Sequence, residues 1–205
     1  ANMEKADFLA NVAKSKEYIR AGDIYQVNLS QRLTAPWAGD GWDFHRALHA
    51  ASPAPFAAYF DAGDFQIASS SPERFLRLSG QHIQARPIKG TRPRDADPQR
   101  DAQLAYELQS SEKERAELVM ITDLLRNDLG RVCATGSVRW SDWRIETFPD
   151  VQHMVSEVQG RLRPGLDGWD ALQALFPGGS ITGCPKSATI AAIDELEATP
   201  RRVWT

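Results

Sequence analysis

Four short stretches between residues 56 and 85 are apolar and rich in strand-forming residues, and only a few residues separate each stretch from the next. Gly63, Pro72 and Gly80 lie in the gaps and favour turns. Connections this short join antiparallel neighbours, because parallel strands need a crossover of about a dozen residues or more. An antiparallel meander is therefore predicted, with strands at residues 56–60, 65–68, 74–78 and 82–85.

Helical periodicity marks four other segments of the chain. Apolar residues recur at helical spacing through residues 8–19, and Gly22 follows as a helix-ending residue. Ser111 and Glu114 have the spacing of a capping box, which predicts a helix from there to Leu129, before Gly130. The two remaining helices are predicted at residues 169–176 and 185–196.

Residues 24–33 alternate between apolar and polar side chains, a pattern typical of a strand with one buried face. The face predicted to be buried carries Tyr25, Val27, Leu29 and Leu33. Two more strands are predicted at residues 137–148 and 151–162. Since no repeat or linker interrupts the sequence, we predict one domain over residues 1–205, an α+β fold of antiparallel β-sheets with flanking helices.

Composition and charge limit which classes of molecule the chain could bind. The chain is 42% hydrophobic and 25% charged, a balance typical of globular proteins. Its 24 Lys and Arg against 27 Asp and Glu leave no basic excess for binding nucleic acid. No apolar run approaches the roughly 20 residues that span a bilayer, so we expect a cytoplasmic protein without a membrane segment. Cys133 and Cys184 lack the spacing of a zinc site and are expected to be reduced thiols.

Glu73 lies in the segment SSSPERF and is a candidate acid. Pro72 keeps its neighbourhood extended, so alternation points Glu73 and Arg74 to opposite faces of the chain. Arg74 is therefore poorly placed to neutralise Glu73. The residues alone leave two interpretations open, a salt-bridged surface carboxylate and a buried general acid.

Lys89 lies in the segment RPIKGTRPR, where arginines stand on both sides of a lysine and a glycine. If the segment is extended, Lys89 and Thr91 share one face and Ile88 takes the other. A lysine that is crowded by guanidinium groups and partly desolvated has its ammonium form disfavoured, which makes Lys89 a candidate nucleophile. The alternatives are a basic surface loop and a site that binds a dianion.

Two carboxylates lie on one face of the helix predicted after Ser111. Glu117 falls in line with an apolar stripe that includes Ile121, and Glu114 lies one turn earlier. A carboxylate in such a place needs a partner. That partner is either Lys113, four residues before Glu117, or a divalent cation such as Mg²⁺.

A glycine-rich turn, PGGSITGCPK, enters the last predicted helix at residues 177–186. Free backbone amides in such a turn suit a carboxylate or a phosphate, although the ending typical of a P-loop is absent. The pattern around His153, in VQHMVSEV, indicates a structural histidine. None of these features identifies a function by itself.

Six segments resemble, in this order, those of the chorismate-utilising enzymes: GDIYQVNLSQR, SSSPERF, PIKGTRPR, ERAELVMITDLLRNDLGRV, VQHMVSEV and FPGGSITGCPKSATIAAIDELE. That family includes anthranilate synthase component I, aminodeoxychorismate synthase component I, isochorismate synthase and salicylate synthase. Gln26 stands where the last two carry a water-activating lysine. Lys89 stands in PIKGT, where anthranilate synthases typically have PIAGT. The chain therefore most resembles the aminodeoxychorismate synthases, which make the precursor of p-aminobenzoate in folate biosynthesis.

The resemblance implies a mechanism that uses these residues. Lys89 would attack C2 of chorismate, and Glu73, with a pKa raised by burial, would protonate the departing C4 hydroxyl. Ammonia from a glutamine amidotransferase subunit would then open the covalent adduct at C4. Mg²⁺, held by Glu117 and Glu114, would bind the ring carboxylate. The residues implied in substrate binding are Gly90, Thr91, His153, Ser180 and Gln26.

The resemblance also bears on a second pocket and on the limits of the chain. Pro55, Phe56 and Ala57 match a position where some relatives form a tryptophan pocket. Family members begin upstream of Ala1 and continue past Thr205 into a region with a second Mg²⁺ glutamate, so we expect an incomplete portion of the catalytic domain. Anthranilate synthase component I and a chorismate-binding fragment without turnover are the alternatives.

Overall fold

The computed structural model describes residues 1–202. No helix in this part of the chain is long and apolar enough to cross a membrane. The helices are α1 (Lys5–Ala21), α2 (Gly41–Ala51), α3 (Pro98–Ser110), α4 (Glu112–Gly130), α5 (Gly168–Leu175) and α6 (Lys186–Leu196). The strands are β1 (Gln26–Val27), β2 (Phe56–Asp61), β3 (Gln66–Ser71), β4 (Arg74–Ser79), β5 (His82–Arg86), β6 (Ile88–Pro93), β7 (Arg139–Thr147), β8 (Val151–Arg161) and β9 (Gly183–Cys184).

A five-stranded sheet forms the centre of the fold, and β8 is its longest strand. β7 pairs along one edge of β8, while β5 and β6 pair one after the other along the opposite edge. β4 extends the sheet beyond β5. Two separate pairs, β2 with β3 and β1 with β9, complete the strands. Every pairing is antiparallel, which confirms the predicted α+β fold of antiparallel sheets with flanking helices.

The core lies between the central sheet and α4. Alternate residues of β8 point toward this helix, and Met154 and Val158 are fully buried there. Met154 packs with Leu118 of α4, and Val158 packs in a cluster with Ile121 and Leu129. Because burying each such side chain stabilises the fold by about 2 kcal/mol, this contact holds α4 firmly on the sheet.

Most predicted elements are confirmed, and two helices were missing from the prediction. The predicted meander forms β2 to β5, although it divides between two sheets because β3 and β4 do not pair. The unpredicted helices are α2 and α3. Asp97 caps α3 by accepting a hydrogen bond from the Gln99 backbone N–H at 3.0 Å, and Pro98 follows at the first helical position. This signal was present in the sequence.

The strand predicted at residues 24–33 is largely wrong. Only β1 pairs, and its partner β9 is two residues long, so the rest of the segment has no neighbouring strand. Tyr25 and Leu33, predicted to face the core, are 68% and 78% exposed. Ile24 is the residue of this segment that is buried. Alternation indicated an extended chain but could not supply the partner that a sheet requires.

β9 approaches β1 so closely at Gly183 that no residue with a side chain would fit there. Its φ is +137°, and a Cβ atom there would lie 2.1 Å from the backbone O of Gln26. Gly183→Ala is therefore expected to lower the free energy of unfolding by about 3 kcal/mol, measured by chemical denaturation. The matched control is Gly136→Ala, since Gly136 also has a positive φ but open space around it, and it should cost about 1 kcal/mol. Equal losses would contradict the close contact.

Candidate active site

Glu73 lies in the turn between β3 and β4, and its carboxyl group meets the loop that follows α5. Ser180 of that loop donates a hydrogen bond from Oγ to Glu73 Oε1 at 2.8 Å. Burial raises the pKa of the Glu73 carboxyl, and this effect outweighs the Ser180 hydrogen bond, the Lys89 charge and the Ile88 backbone, which all lower it. The raised pKa is the direction that a general acid requires.

Ser71 shapes the turn that presents Glu73. Its Oγ donates to the Glu73 carbonyl O at 3.0 Å and accepts from the Glu73 backbone N–H at 3.4 Å. Arg74, the next residue, turns away, and its guanidinium lies 5.7 Å from the centre of the Phe56 ring. The charges that act on Arg74 come from residues other than Glu73. The predicted separation of Glu73 from Arg74 is confirmed.

A bulge at Gly90 determines which face of the sheet Lys89 uses. Lys89 lies opposite Met154 of β8. Thr91 lies opposite His153, the neighbouring residue of the same strand. Opposing residues share a face and successive residues alternate, so Lys89 and Thr91 point to opposite faces. The predicted shared face is wrong because the bulge adds one residue to β6.

Lys89 is therefore on the side of the sheet that α4 covers. Its opposite residue, Met154, packs there against Leu108 of α3 and Leu118 of α4. Glu73 is close enough for the Lys89 charge to act on its carboxyl. No residue of the described chain forms a salt bridge with Lys89, which leaves its amine available to a substrate.

A cavity of about 300 Å³ opens beside Glu73. Glu73 and Ser180 line its polar part, and Phe75 and Leu125 contribute apolar surface. A volume of this size suits a small organic molecule. The structure thus brings Glu73 and Ser180 together at this cavity, while Lys89 lies on the same α4 side of the sheet but outside the residues that line it.

Thr91 and His153 form a separate pair on the other face. Thr91 Oγ1 lies 2.9 Å from His153 Nδ1, and the His153 ring is 5.5 Å from that of Phe148. His153 is buried, and burial lowers the pKa of its imidazole. This environment agrees with the structural histidine expected from the pattern, and contact with a substrate stays a prediction.

Glu114 and Glu117 lie one turn apart on α4. Glu117 forms an ion pair with Lys113 at 3.8 Å, and Glu114 approaches Arg92 at 4.0 Å. Within the described residues no group of three or more His, Cys, Asp and Glu could hold a metal ion. Two carboxylates nevertheless fit Mg²⁺, which commonly takes one or two from the protein and completes its shell with water and substrate oxygens.

Gly90 allows α4 to come close to β6 at this point. A Cβ atom on Gly90 would lie 3.1 Å from both Cβ and Cγ of Glu114. Its φ of +75° is also one that residues with a side chain rarely adopt. The glycine between Lys89 and Thr91 therefore places one of the two candidate metal carboxylates beside the candidate nucleophile.

Gln26 lies in β1, next to the loop that carries Ser180. It pairs with Cys184, and its buried Oε1 has no hydrogen-bond partner within residues 1–202. A buried acceptor without a partner fits a position in the wall of a binding site, where a ligand could donate the missing hydrogen bond. Cys184 and Cys133 are both free thiols, as predicted.

Pro55 and Phe56 line a different cavity, of about 210 Å³. Val155 of β8 also lines it, which places the cavity on the face opposite to Lys89. Ala57, the third residue of the predicted tryptophan pocket, is outside this lining. Tryptophan binding there stays a prediction.

An ion pair behind the Ser180 loop was not predicted. Lys186 Nζ donates to Asp128 Oδ2 at 2.5 Å, and the two side chains are 14% and 5% exposed. A signal was present, because Asp128 follows Leu124 by four positions and interrupts the apolar stripe of α4. Asn28, whose Nδ2 donates to the Ser180 carbonyl O at 3.1 Å, shows no comparable signal.

Residues 1–205 match the family model described as chorismate binding enzyme. The chain belongs to this family. It is 47% identical over 205 residues to aminodeoxychorismate synthase component 1 of Salmonella typhimurium strain LT2, covering all of this chain and 45% of that protein. It is 43% identical over 205 residues to anthranilate synthase component 1 of Bacillus subtilis strain 168, again covering all of this chain and 40% of that protein.

A solved structure of the family confirms the predicted chorismate-binding fold. Anthranilate synthase component I from Streptococcus pneumoniae TIGR4 has a TM-score of 0.86 and 37% identity, covering 98% of this chain and 44% of that one. This chain spans about half the length of the curated relatives it matches.

Replacing Glu73 by glutamine removes a carboxylate that burial disfavours. Because the pKa of Glu73 is raised in the folded chain, its ionisation favours the unfolded state at neutral pH. Glu73→Gln is therefore expected to raise the free energy of unfolding by about 1 kcal/mol near pH 7. The gain should vanish by about pH 3, where the carboxyl is protonated in both states.

Denaturation curves at the two pH values measure this effect. Glu17→Gln is the control, since Glu17 is a 62% exposed carboxylate on α1, and it should change stability by less than about 0.5 kcal/mol. A loss of stability for Glu73→Gln at neutral pH would show that the Glu73 carboxylate is stabilising.

Proposed function

We propose that the complete protein is aminodeoxychorismate synthase component I, which converts chorismate and ammonia into 4-amino-4-deoxychorismate in the cytoplasm. The observation that carries this proposal is Glu73, an acid with a raised pKa, beside Lys89 on one face of the sheet. The 47% identity to an aminodeoxychorismate synthase component 1 supports it. Lys89 itself favours this activity over anthranilate synthesis, to which relatives of similar identity belong by name.

Lys89 and Glu73 would carry the first step together. The neutral amine of Lys89 forms a bond to C2 of chorismate, the ring double bonds shift, and the bond from C4 to its hydroxyl breaks. Glu73 gives its proton to the hydroxyl, which leaves as water. The new carboxylate then takes a proton from the alkylated Lys89 nitrogen, so Glu73 is again an acid.

Ammonia would complete the reaction in a second step. It forms a bond to C4 as the double bonds shift back, and the bond between C2 and the Lys89 nitrogen breaks. Glu73 protonates the departing Lys89 amine and recovers a proton from the new C4 ammonium. Chorismate and ammonia thus give aminodeoxychorismate and water. The ammonia would come from a glutamine amidotransferase subunit, and "component 1" in the relatives' names supports a second subunit.

The other residues would bind and orient the substrate. Ser180 holds the Glu73 carboxyl by its hydrogen bond, and Gly90, next to Lys89, packs against Glu114, one of the two candidate metal carboxylates. Glu117 and Glu114 would hold Mg²⁺, which supplies positive charge for the ring carboxylate when bound. Since the Thr91 side chain occupies the opposite face, Thr91 would act on the substrate through its backbone.

Lys89→Ala tests the covalent step in the complete protein. The cavity beside Glu73 is lined by other residues, so the substrate should still bind. Turnover at saturating chorismate should fall at least about a hundredfold, because no amine remains to attack C2. Mass spectrometry of peptides from the unmutated protein should show a chorismate-derived adduct on Lys89.

Lys16→Ala, on the exposed surface of α1, provides the matched control and should keep full activity. A lysine that only binds the substrate would behave differently, with a raised KM and an almost unchanged kcat in Lys89→Ala. That result would remove the main reason for preferring aminodeoxychorismate formation over anthranilate formation.

Glu117→Gln tests the magnesium site. The substitution removes one anionic ligand, so Mg²⁺ affinity in the presence of chorismate should fall at least about tenfold, measured by calorimetry. Glu112→Gln is the control, because Glu112 is an exposed carboxylate in the first turn of the same helix. Equal Mg²⁺ affinity in both variants would exclude Glu117 as a ligand.

A further inference from the structure

One lysine closes the base of the loop that carries Ser180. Lys186 is the first residue of α6, and its Nζ donates to the carbonyl O of Leu175, the last residue of α5, at 2.8 Å. The same Nζ donates to Asp128 Oδ2 of α4 at 2.5 Å. A single ammonium group therefore joins both ends of this loop to a third helix.

The loop also rests on the face of α4 that carries Asp128. Gly179 packs so closely on Leu124 that a Cβ atom on the glycine would lie 2.2 Å from Leu124 Cδ2. Leu124 and Asp128 are four residues apart and share a helix face. Ser180 follows Gly179 directly, so these two contacts with α4 control where the Ser180 hydroxyl lies.

We propose that Lys186 and Asp128 are positioning residues for Glu73, because they hold the loop against α4 and so keep the Ser180 hydroxyl on the Glu73 carboxyl. This inference rests on the proposed function, in which Glu73 is the proton donor. Neither residue lines the cavity beside Glu73, so both act through Ser180 and not on the substrate.

The chemistry of the pair favours positioning over simple stabilisation. Removing two charges from water is unfavourable, and well-packed apolar residues often stabilise a buried site as well as an ion pair does. An ammonium that must meet the Asp128 carboxylate and the Leu175 carbonyl at once fixes the direction and length of the contact. Apolar packing would not constrain the loop in this way.

Lys186→Met in the complete protein tests the proposal, since it keeps an unbranched side chain of nearly the same length and removes the ammonium. The Ser180 hydrogen bond stabilises the ionised form of Glu73, so its loss should move the pKa of Glu73 upward. NMR of ¹³C-labelled glutamate carboxyls measures this titration, and Glu73→Gln identifies the signal. Ser180→Ala should shift the pKa in the same direction, and the double variant should add nothing further.

The kinetics and the controls separate positioning from general stability. Lys186→Met should lower kcat about tenfold with KM changed less than about twofold, and the alkaline limb of the kcat profile should move to higher pH. Leu104→Val, a core change on α3, should lower stability without moving the Glu73 pKa. If Lys186→Met does not fold, Asp128→Asn, which keeps the side-chain shape, takes its place.

An unchanged Glu73 pKa in a folded Lys186→Met or Asp128→Asn protein would overturn the proposal. Failure of the proposed function would look different. An upward shift of the Glu73 pKa in a protein whose unmutated form makes no aminodeoxychorismate would refute that function and still support the effect of the pair on Glu73.

Discussion

β8 has partner strands along both edges, and five consecutive residues in its first half, from 152 to 156, are buried. Because β5 and β6 share one edge of β8, the chain must pass between them at Pro87, whose carbonyl O accepts from the Ser156 backbone N–H at 3.2 Å. β4 pairs with β5 so that Arg74 lies opposite Arg86. Glu73 therefore lies next to the start of β6, where Lys89 follows. The meeting of the candidate acid and nucleophile is a consequence of strand order.

Two carboxylates on the α4 side of this sheet are held with raised pKa values, and their surroundings differ. Asp128 meets the ammonium of Lys186, which lowers its pKa against the larger effect of burial. Glu73 has a neutral hydroxyl as its hydrogen-bond donor and a lysine that acts on it without a direct salt bridge. Direct pairing with an ammonium stabilises the ionised form of a carboxylate and so opposes its keeping a proton. A neutral donor such as the Ser180 hydroxyl stabilises the ionised Glu73 less than an ammonium would. Glu73 is therefore better suited than Asp128 to give up a proton to a substrate.

Local signals predicted the elements well, whereas contacts between distant segments decided the rest. The cap at Ser111 is confirmed, since its Oγ accepts from the Glu114 backbone N–H at 3.4 Å. The separation of Glu73 from Arg74 also follows from alternation alone. The prediction of a strand at residues 24–33 failed because pairing of this segment depends on β9, more than 150 residues away. The prediction that Lys89 and Thr91 share a face failed because an isolated glycine does not reveal whether a strand bulges there.

Product analysis of the complete protein tests most directly whether Lys89 and Glu73 perform amination at C4. Chorismate, Mg²⁺ and ammonium are supplied to the unmutated protein, and the products are separated and identified by mass spectrometry. The chemistry of Lys89 predicts 4-amino-4-deoxychorismate without release of pyruvate. Anthranilate together with pyruvate, or chorismate that is bound and left unchanged, would contradict it.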